Sequence, residues 1–223
     1  MIKLITFDMY SAFLDIEGSA LPLVEKALGS PRDDSLAFFK LWRARQWDYV
    51  LLTNILQKGF LSYAEITRTT LDHTCKKLNR PLTESQKEEL MRVWVQFKAW
   101  PEAAETVEAL RRKGYAIAML SNGDETMLRE LEVSTGVHFD HVFGADQAER
   151  YKPHPDIYAL PCQKLGLDKS EFLHVAGSMI DMVGATAAGY RCAWSNRFGE
   201  YSLDNRYRPE FETRTLLELV ELV

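Results

Sequence analysis

Five short apolar runs recur along this chain, at residues 2–7, 115–120, 141–145, 171–176 and 191–194, each bounded by Gly, Asn, Asp or Ser. Helix-like stretches at 102–113, 125–133, 156–165 and 181–188 alternate with them. Parallel neighbouring strands need a long crossover between them, and a helix is the usual one. The pattern therefore predicts an α/β protein with a Rossmann-like, doubly wound parallel sheet of five strands and helices on both faces.

One interval breaks the alternation. Residues 15–97 contain helical patterns and no convincing strand: 36–56 carries apolar and aromatic residues at helical spacing, Ser62-Tyr63-Ala64-Glu65 reads as a capping box opening a helix to about residue 78, and Thr83-Glu84-Ser85-Gln86 opens another to about residue 97. The expected organisation is an α/β core of residues 1–14 and 98–223 with a helical cap domain, 15–97, inserted into it. Gly and Pro place the junctions near Glu17-Gly18 and Ala99-Trp100-Pro101.

The totals narrow the function classes. With 223 residues, 46% of them hydrophobic, the chain can bury its own core. Its 27 Lys and Arg against 32 Asp and Glu give a formal charge of -5, so no broad basic surface is available to nucleic acid. No apolar run approaches the roughly 20 residues that cross a bilayer, and the chain starts on a strand-like segment, which points to no membrane and a cytoplasmic location. Cys75, Cys162 and Cys192 are widely spaced and read as free thiols. His138 and His141 flank Asp140 with no further ligand at metal spacing, as in a surface loop.

In open α/β sheets, ligands bind beyond the carboxyl ends of the strands. There the first run ends in Phe7-Asp8-Met9-Tyr10, the second in Leu120-Ser121-Asn122-Gly123 and the fourth in Val175-Ala176-Gly177-Ser178, with Asp181 in the next helical turn and Lys152 after the third run. Each alone is a common turn or cap residue. Together they put two carboxylates, a lysine and a hydroxyl-plus-amide pair on one rim.

In this order Asp8-Met9-Tyr10, Ser121-Asn122-Gly123, Tyr151-Lys152-Pro153 and Asp181 resemble the four motifs of the haloacid dehalogenase superfamily, and the likeness covers nearly the whole chain. It is strongest to the L-2-haloacid dehalogenases. The segment Leu41-Trp42-Arg43-Ala44-Arg45-Gln46-Trp47-Asp48-Tyr49 is similar to their arginine-bearing cap helix, and Tyr151-Lys152-Pro153 followed by Tyr158 is similar to their lysine motif. The resemblance implies that Asp8 attacks the halogen-bearing carbon and forms an ester, which water then hydrolyses. Lys152 would orient Asp8, Asp181 would activate the water, and Ser178 would join this catalytic group. Arg43 would meet the halide or substrate carboxylate, with Trp42, Tyr10 and Tyr158 lining the pocket and Ser121 and Asn122 holding the carboxylate. A small-molecule substrate and no cofactor follow from the likeness, and apolar cap residues suggest a homodimer.

Family phosphatases differ at two places. They usually carry a second Asp where this chain has Tyr10, to protonate the leaving alcohol. They also tend to have Gly-Asp-Ser-x-x-Asp at the fourth motif, whose first Asp helps bind Mg²⁺; here the stretch is Ala176-Gly177-Ser178-Met179-Ile180-Asp181. A Mg²⁺-dependent phosphatase, with Asp8, the Tyr10 carbonyl and Asp181 as ligands, is the alternative these differences weaken. The chain also departs from the dehalogenases. Their Gly-Thr after the tyrosine is Ser11-Ala12 here, losing a hydroxyl at its usual place, and their Ser-Ser-Asn is Ala176-Gly177-Ser178. Those losses keep open a third reading, a catalytically idle binding module.

Overall fold

The computed structural model describes residues 1–223. Strand β1 (Leu4–Phe7) runs into a five-residue π-helical turn (Met9–Phe13) and the two-residue β2 (Leu14–Asp15). Four helices follow: α1 (Ile16–Leu28), α2 (Arg32–Leu56), α3 (Tyr63–Lys77) and α4 (Glu84–Arg92). After β3 (Lys98–Ala99) the chain alternates α5 (Ala103–Arg112), β4 (Ala116–Leu120), α6 (Glu125–Thr135), β5 (His141–Phe143), α7 (Pro155–Leu165), β6 (Phe172–Ala176), α8 (Met179–Ala187) and β7 (Arg191–Ser195). It ends with β8 (Phe211–Thr213) and α9 (Glu218–Leu222).

The main sheet has six strands in the order β5-β4-β1-β6-β7-β8, every neighbouring pair parallel. The sixth, β8, is not among the five runs of the sequence pattern, because Phe-Glu-Thr on a sheet edge carries no buried apolar stretch. Central strands β1 and β6 are buried at every residue, which is why they read as continuous apolar runs. The strand order reverses around β1, so Asp8, just past its end, sits at the switch point of the sheet.

The 16–92 interval is helical throughout apart from its loops. Both capping boxes form: Ser62 accepts from the Glu65 amide while Glu65 accepts from the Ser62 amide, and Thr83 and Gln86 do the same. The last helix stops at Arg92, and a 3₁₀ turn, Val93–Val95, carries the chain on. Glu17-Gly18, where the sequence suggested a break, lies inside a helix. Gly18 lies inside α1, where its N–H donates to Asp15 Oδ1 at 2.9 Å and a Cβ would come within 2.2 Å of Asp15 Oδ2. It serves a tight helix start; β2 and β3 pair antiparallel on either side of the helical interval, with Leu14 opposite Ala99 and Asp15 opposite Lys98. All three cysteines are unpaired, and no helix is long and apolar enough to cross a membrane.

Candidate active site

Asp8 caps the π-helical turn, and its carboxylate is held by four donors. Oδ2 accepts from the Ser11 amide at 2.7 Å and the Ser11 hydroxyl at 2.5 Å. Oδ1 accepts from Ser121 Oγ, past the end of β4, at 2.9 Å and from Lys152 Nζ at 3.0 Å. The turn lies hard against the end of β6: a Cβ on Gly177 would stand 2.1 Å from the Ser11 carbonyl and 2.3 Å from the Ala12 amide. Only glycine permits that approach. The place where phosphatases carry an acidic side chain is filled by backbone.

Lys152, 1% exposed, also donates to Asp181 Oδ2 at 2.9 Å, so its ammonium bridges two carboxylates. Burial alone would push its pKa down, but the charges of Asp181 and Asp8 outweigh that and raise it. Burial would likewise raise the Asp181 carboxyl, yet Lys152 and His174 hold it well below the usual carboxylate range. Tyr158 donates to Asp181 Oδ1 at 2.8 Å, and His174 Nε2 lies 3.0 Å from Asp181 Oδ2. His174 is pushed down by burial and by Lys152, which keeps the ring neutral at pH 7. Ser178 caps α8 by accepting from the Asp181 amide at 3.3 Å, and Asn122 Oδ1 accepts from the Lys152 amide at 2.8 Å.

The helical insert covers this rim. Arg43 reaches it from α2, bonded to Gln46 Oε1 at 3.0 Å and to the Tyr63 hydroxyl at 3.1 Å, with its guanidinium 4.9 Å from the Trp94 ring centroid. Tyr10 packs beneath, 5.3 Å from Tyr63 and 5.6 Å from Trp94 between ring centroids. The core holds the insert in place: Asp124 accepts from the Tyr63 amide at 3.1 Å, and Asn54 exchanges two hydrogen bonds with the Tyr151 backbone. The free space at Asp8 is about 10 Å³, which admits no more than a water molecule. It adjoins a cleft of about 270 Å³ bordered by Tyr10, Arg43, Trp47, Trp100 and Phe198. A cleft of about 630 Å³ elsewhere, beside the 199–214 loop, includes neither Asp8 nor Lys152 and is not the reaction site.

No group of three or more His, Cys, Asp or Glu side chains is arranged to hold a metal ion. Asp8 and Asp181 spend their oxygens on Lys152, Ser11, Ser121, Tyr158 and His174, so the residues present do not fit Mg²⁺.

The family model of haloacid dehalogenase-like hydrolases matches residues 2–189. The chain belongs to that family. Among its relatives, haloacetate dehalogenase H-2 of Moraxella sp. (strain B) is 30% identical, with the match covering 100% of this chain and 98% of that one. The (S)-2-haloacid dehalogenase of Pseudomonas sp. (strain YL) is 29% identical over 99% and 94%. The L-2-haloacid dehalogenase of Xanthobacter autotrophicus, solved with chloropropionic acid covalently bound, superimposes with a TM-score of 0.90 at 25% identity, covering 100% and 98%.

In this hydrolase Asp8, Lys152, Asp181, Ser178, Asn122, Tyr10 and Arg43 all border the space at Asp8. Three other expected residues stand back from it. Trp42 is fully buried, donating its indole N–H to the Thr67 carbonyl at 3.0 Å, because it lies on the face of α2 that packs against α3; Trp47 borders the pocket instead. Ser121 and Tyr158 are also fully buried, and their hydroxyls are committed to Asp8 and Asp181 rather than to a substrate. Sequence reasoning missed Ser11, His174 and Tyr63. Ser11 carried a signal, a hydroxyl three residues after an Asp at a turn, and so did His174, a lone polar residue in an apolar strand. Tyr63 had none beyond its place in a capping box.

Proposed function

We propose that this hydrolase cleaves the carbon–halogen bond of small 2-haloacids through an ester on Asp8, with no metal ion. The observation that carries the reading is the Lys152 ammonium lodged between Asp8 and Asp181, which gives both carboxylates a cation from the protein's own chain. The covalent chloropropionic acid complex of the Xanthobacter relative supports it. One oxygen of Asp8 displaces halide from the carbon next to the substrate carboxylate, so a C–O bond forms as the carbon–halogen bond breaks. Attack through Oδ2 leaves Oδ1 as the ester carbonyl, already facing Lys152 Nζ and Ser121 Oγ. Those two donors stabilise the oxyanion when water adds to the Asp8 carbonyl carbon. Collapse releases the 2-hydroxy acid and a proton and restores the carboxylate.

Arg43 and Asn122 are the groups we assign to the substrate carboxylate and the departing halide. Ser178 caps the helix that carries Asp181. Asp181 was expected to activate the hydrolytic water; because Lys152 and His174 hold its pKa well below the usual carboxylate range, which makes it a weak base, we assign it the role of counter-ion to Lys152. Residues 15–97 act as a cap over a core of 1–14 and 98–223, and with about 10 Å³ free at Asp8 it must shift to admit substrate. Unpaired cysteines support a cytoplasmic location. The exposed Leu52, Ile55 and Leu56 at the end of α2 support a homodimer.

The test is halide release from L-2-chloropropionate in EDTA by the wild type and by Asp8→Asn. Release by the wild type alone is expected. Phosphate ester cleavage that strictly requires Mg²⁺, with no halide from any haloacid, would overturn the reading.

A further inference from the structure

His174 stands in the middle of a strand otherwise made of Phe172, Leu173, Val175 and Ala176, and it is fully buried. A phenyl ring would fill that volume without the cost of burying two ring nitrogens. Both nitrogens have partners. Nδ1 lies 2.8 Å from Thr6 Oγ1 on the neighbouring β1, and Nε2 lies 3.0 Å from Asp181 Oδ2 and 3.1 Å from Lys152 Nζ.

The protons can be assigned from what each group is able to do. An ionised carboxylate only accepts and an ammonium only donates, so Nε2 cannot bond both Asp181 and Lys152; Lys152 has two carboxylate acceptors without the ring, and the hydrogen is therefore assigned to Nε2, donating to Asp181. A neutral ring carries one hydrogen, so Nδ1 accepts, and the donor is the Thr6 hydroxyl. Lys152 then donates one N–H to Asp8 Oδ1 and one to Asp181 Oδ2 and keeps the third toward the cavity it borders.

We infer that His174 is a positioning residue for the reaction: by holding Asp181 Oδ2 through Nε2–H, it fixes the counter-ion that keeps the Lys152 ammonium on Asp8. This rests on Asp8 being the nucleophile. Without the imidazole, Oδ2 of Asp181 has Lys152 as its single donor, and the carboxylate, otherwise held only at Oδ1 by Tyr158, can pivot about that bond and draw Nζ away from Asp8. His174 does not border the space at Asp8, so substrate binding is spared.

His174→Phe keeps the volume and removes both nitrogens. Its kcat should fall by roughly ten- to a hundredfold while KM stays within about twofold. His174→Gln can return an N–H to the position of Nε2, and should recover most of the lost kcat. In the wild type, ¹⁵N NMR of the ring should show Nε2 protonated and Nδ1 bare. A folded Phe variant with wild-type kcat, a Gln variant no faster than the Phe variant, or a proton on Nδ1 each overturns the inference. If the Phe variant does not fold, the Gln variant compared with the wild type, together with the tautomer, decides: a Gln variant slowed tenfold or more overturns it. Asp8→Asn is assayed alongside. An active Asp8→Asn defeats the nucleophile reading, whereas an inactive one beside a fully active Phe variant defeats this inference alone.

Discussion

The two walls of the site are built on opposite electrostatic plans. On the core rim, Asp8, Lys152, Asp181, Ser121, Tyr158 and His174 form one connected hydrogen-bond chain, so each charged group has partners before substrate arrives. Facing it, Arg43 forms no salt bridge: its partners are an amide oxygen, a phenol and an indole face. Two carboxylates against one ammonium leave the rim one charge negative, and the proposed substrate is an anion too. The insert supplies the missing cation. A pre-paired rim fixes the nucleophile's geometry, while an unpaired guanidinium in a poorly solvated site keeps its attraction for an incoming anion.

With the nucleophile itself left in place, the largest effect should therefore follow a change to the guanidinium. Arg43→Lys keeps the charge but gives up the planar fork that meets Gln46, Tyr63 and the Trp94 face together. We expect kcat/KM for a 2-haloacid to fall by about a hundredfold, or ~2.7 kcal/mol. Steady-state halide release measures it. Activity within a few-fold of wild type would mean that charge alone suffices and would erase the contrast between the walls.

The same contrast explains how far the sequence could be read. The sheet, its rim and the order of the motifs were legible because strand ends announce themselves as a switch from apolar residues to Asp, Ser-Asn-Gly and Gly-Ser. β8 was not, since an edge strand of three residues buries too little to leave a pattern. On the cap side, helices were legible but facing was not. Trp42 and Trp47 are both aromatic residues on α2, and only the packing of α2 on α3 decides that Trp42 points away from the site. Gly18 misled for a related reason: glycine marks either a junction or a tight approach, and here an Asp15 carboxylate occupies the space. The hydroxyl absent at Ala12 is present one residue earlier on Ser11, where it donates to Asp8 Oδ2.

A middle-sized effect should appear in the pH dependence of stability. Because the Asp181 carboxyl is lowered by Lys152 and His174 against the opposing pull of burial, the unfolded chain binds its proton more readily than the folded one. The resulting stabilisation is complete above the ordinary carboxylate pKa of about 3.9 and is lost as pH falls through the lowered value. In that acid window one proton contributes a slope of about 1.4 kcal/mol per pH unit. Asp181→Asn should lose that slope, whatever its stability at pH 7. Urea unfolding between pH 2 and 5 reads the difference; parallel curves for the two proteins would mean that Asp181 is not the rim's buried anion.

Ser11→Ala should give the smallest change, and the reason lies in the redundancy of the rim. The Ser11 hydroxyl and amide donate to the same oxygen of Asp8, so alanine removes one donor and leaves the other at 2.7 Å, with Ser121 and Lys152 still on the second oxygen. One hydrogen bond to a charged acceptor that retains other partners contributes about 1 to 1.5 kcal/mol, hence a fall in kcat of about five- to tenfold with KM little changed. Single-turnover rates of halide release isolate the step in which Asp8 attacks. A loss from Ser11→Ala as large as that from Arg43→Lys would show the four donors acting as one cooperative unit, in which case the rim depends on each member as heavily as the cap depends on Arg43.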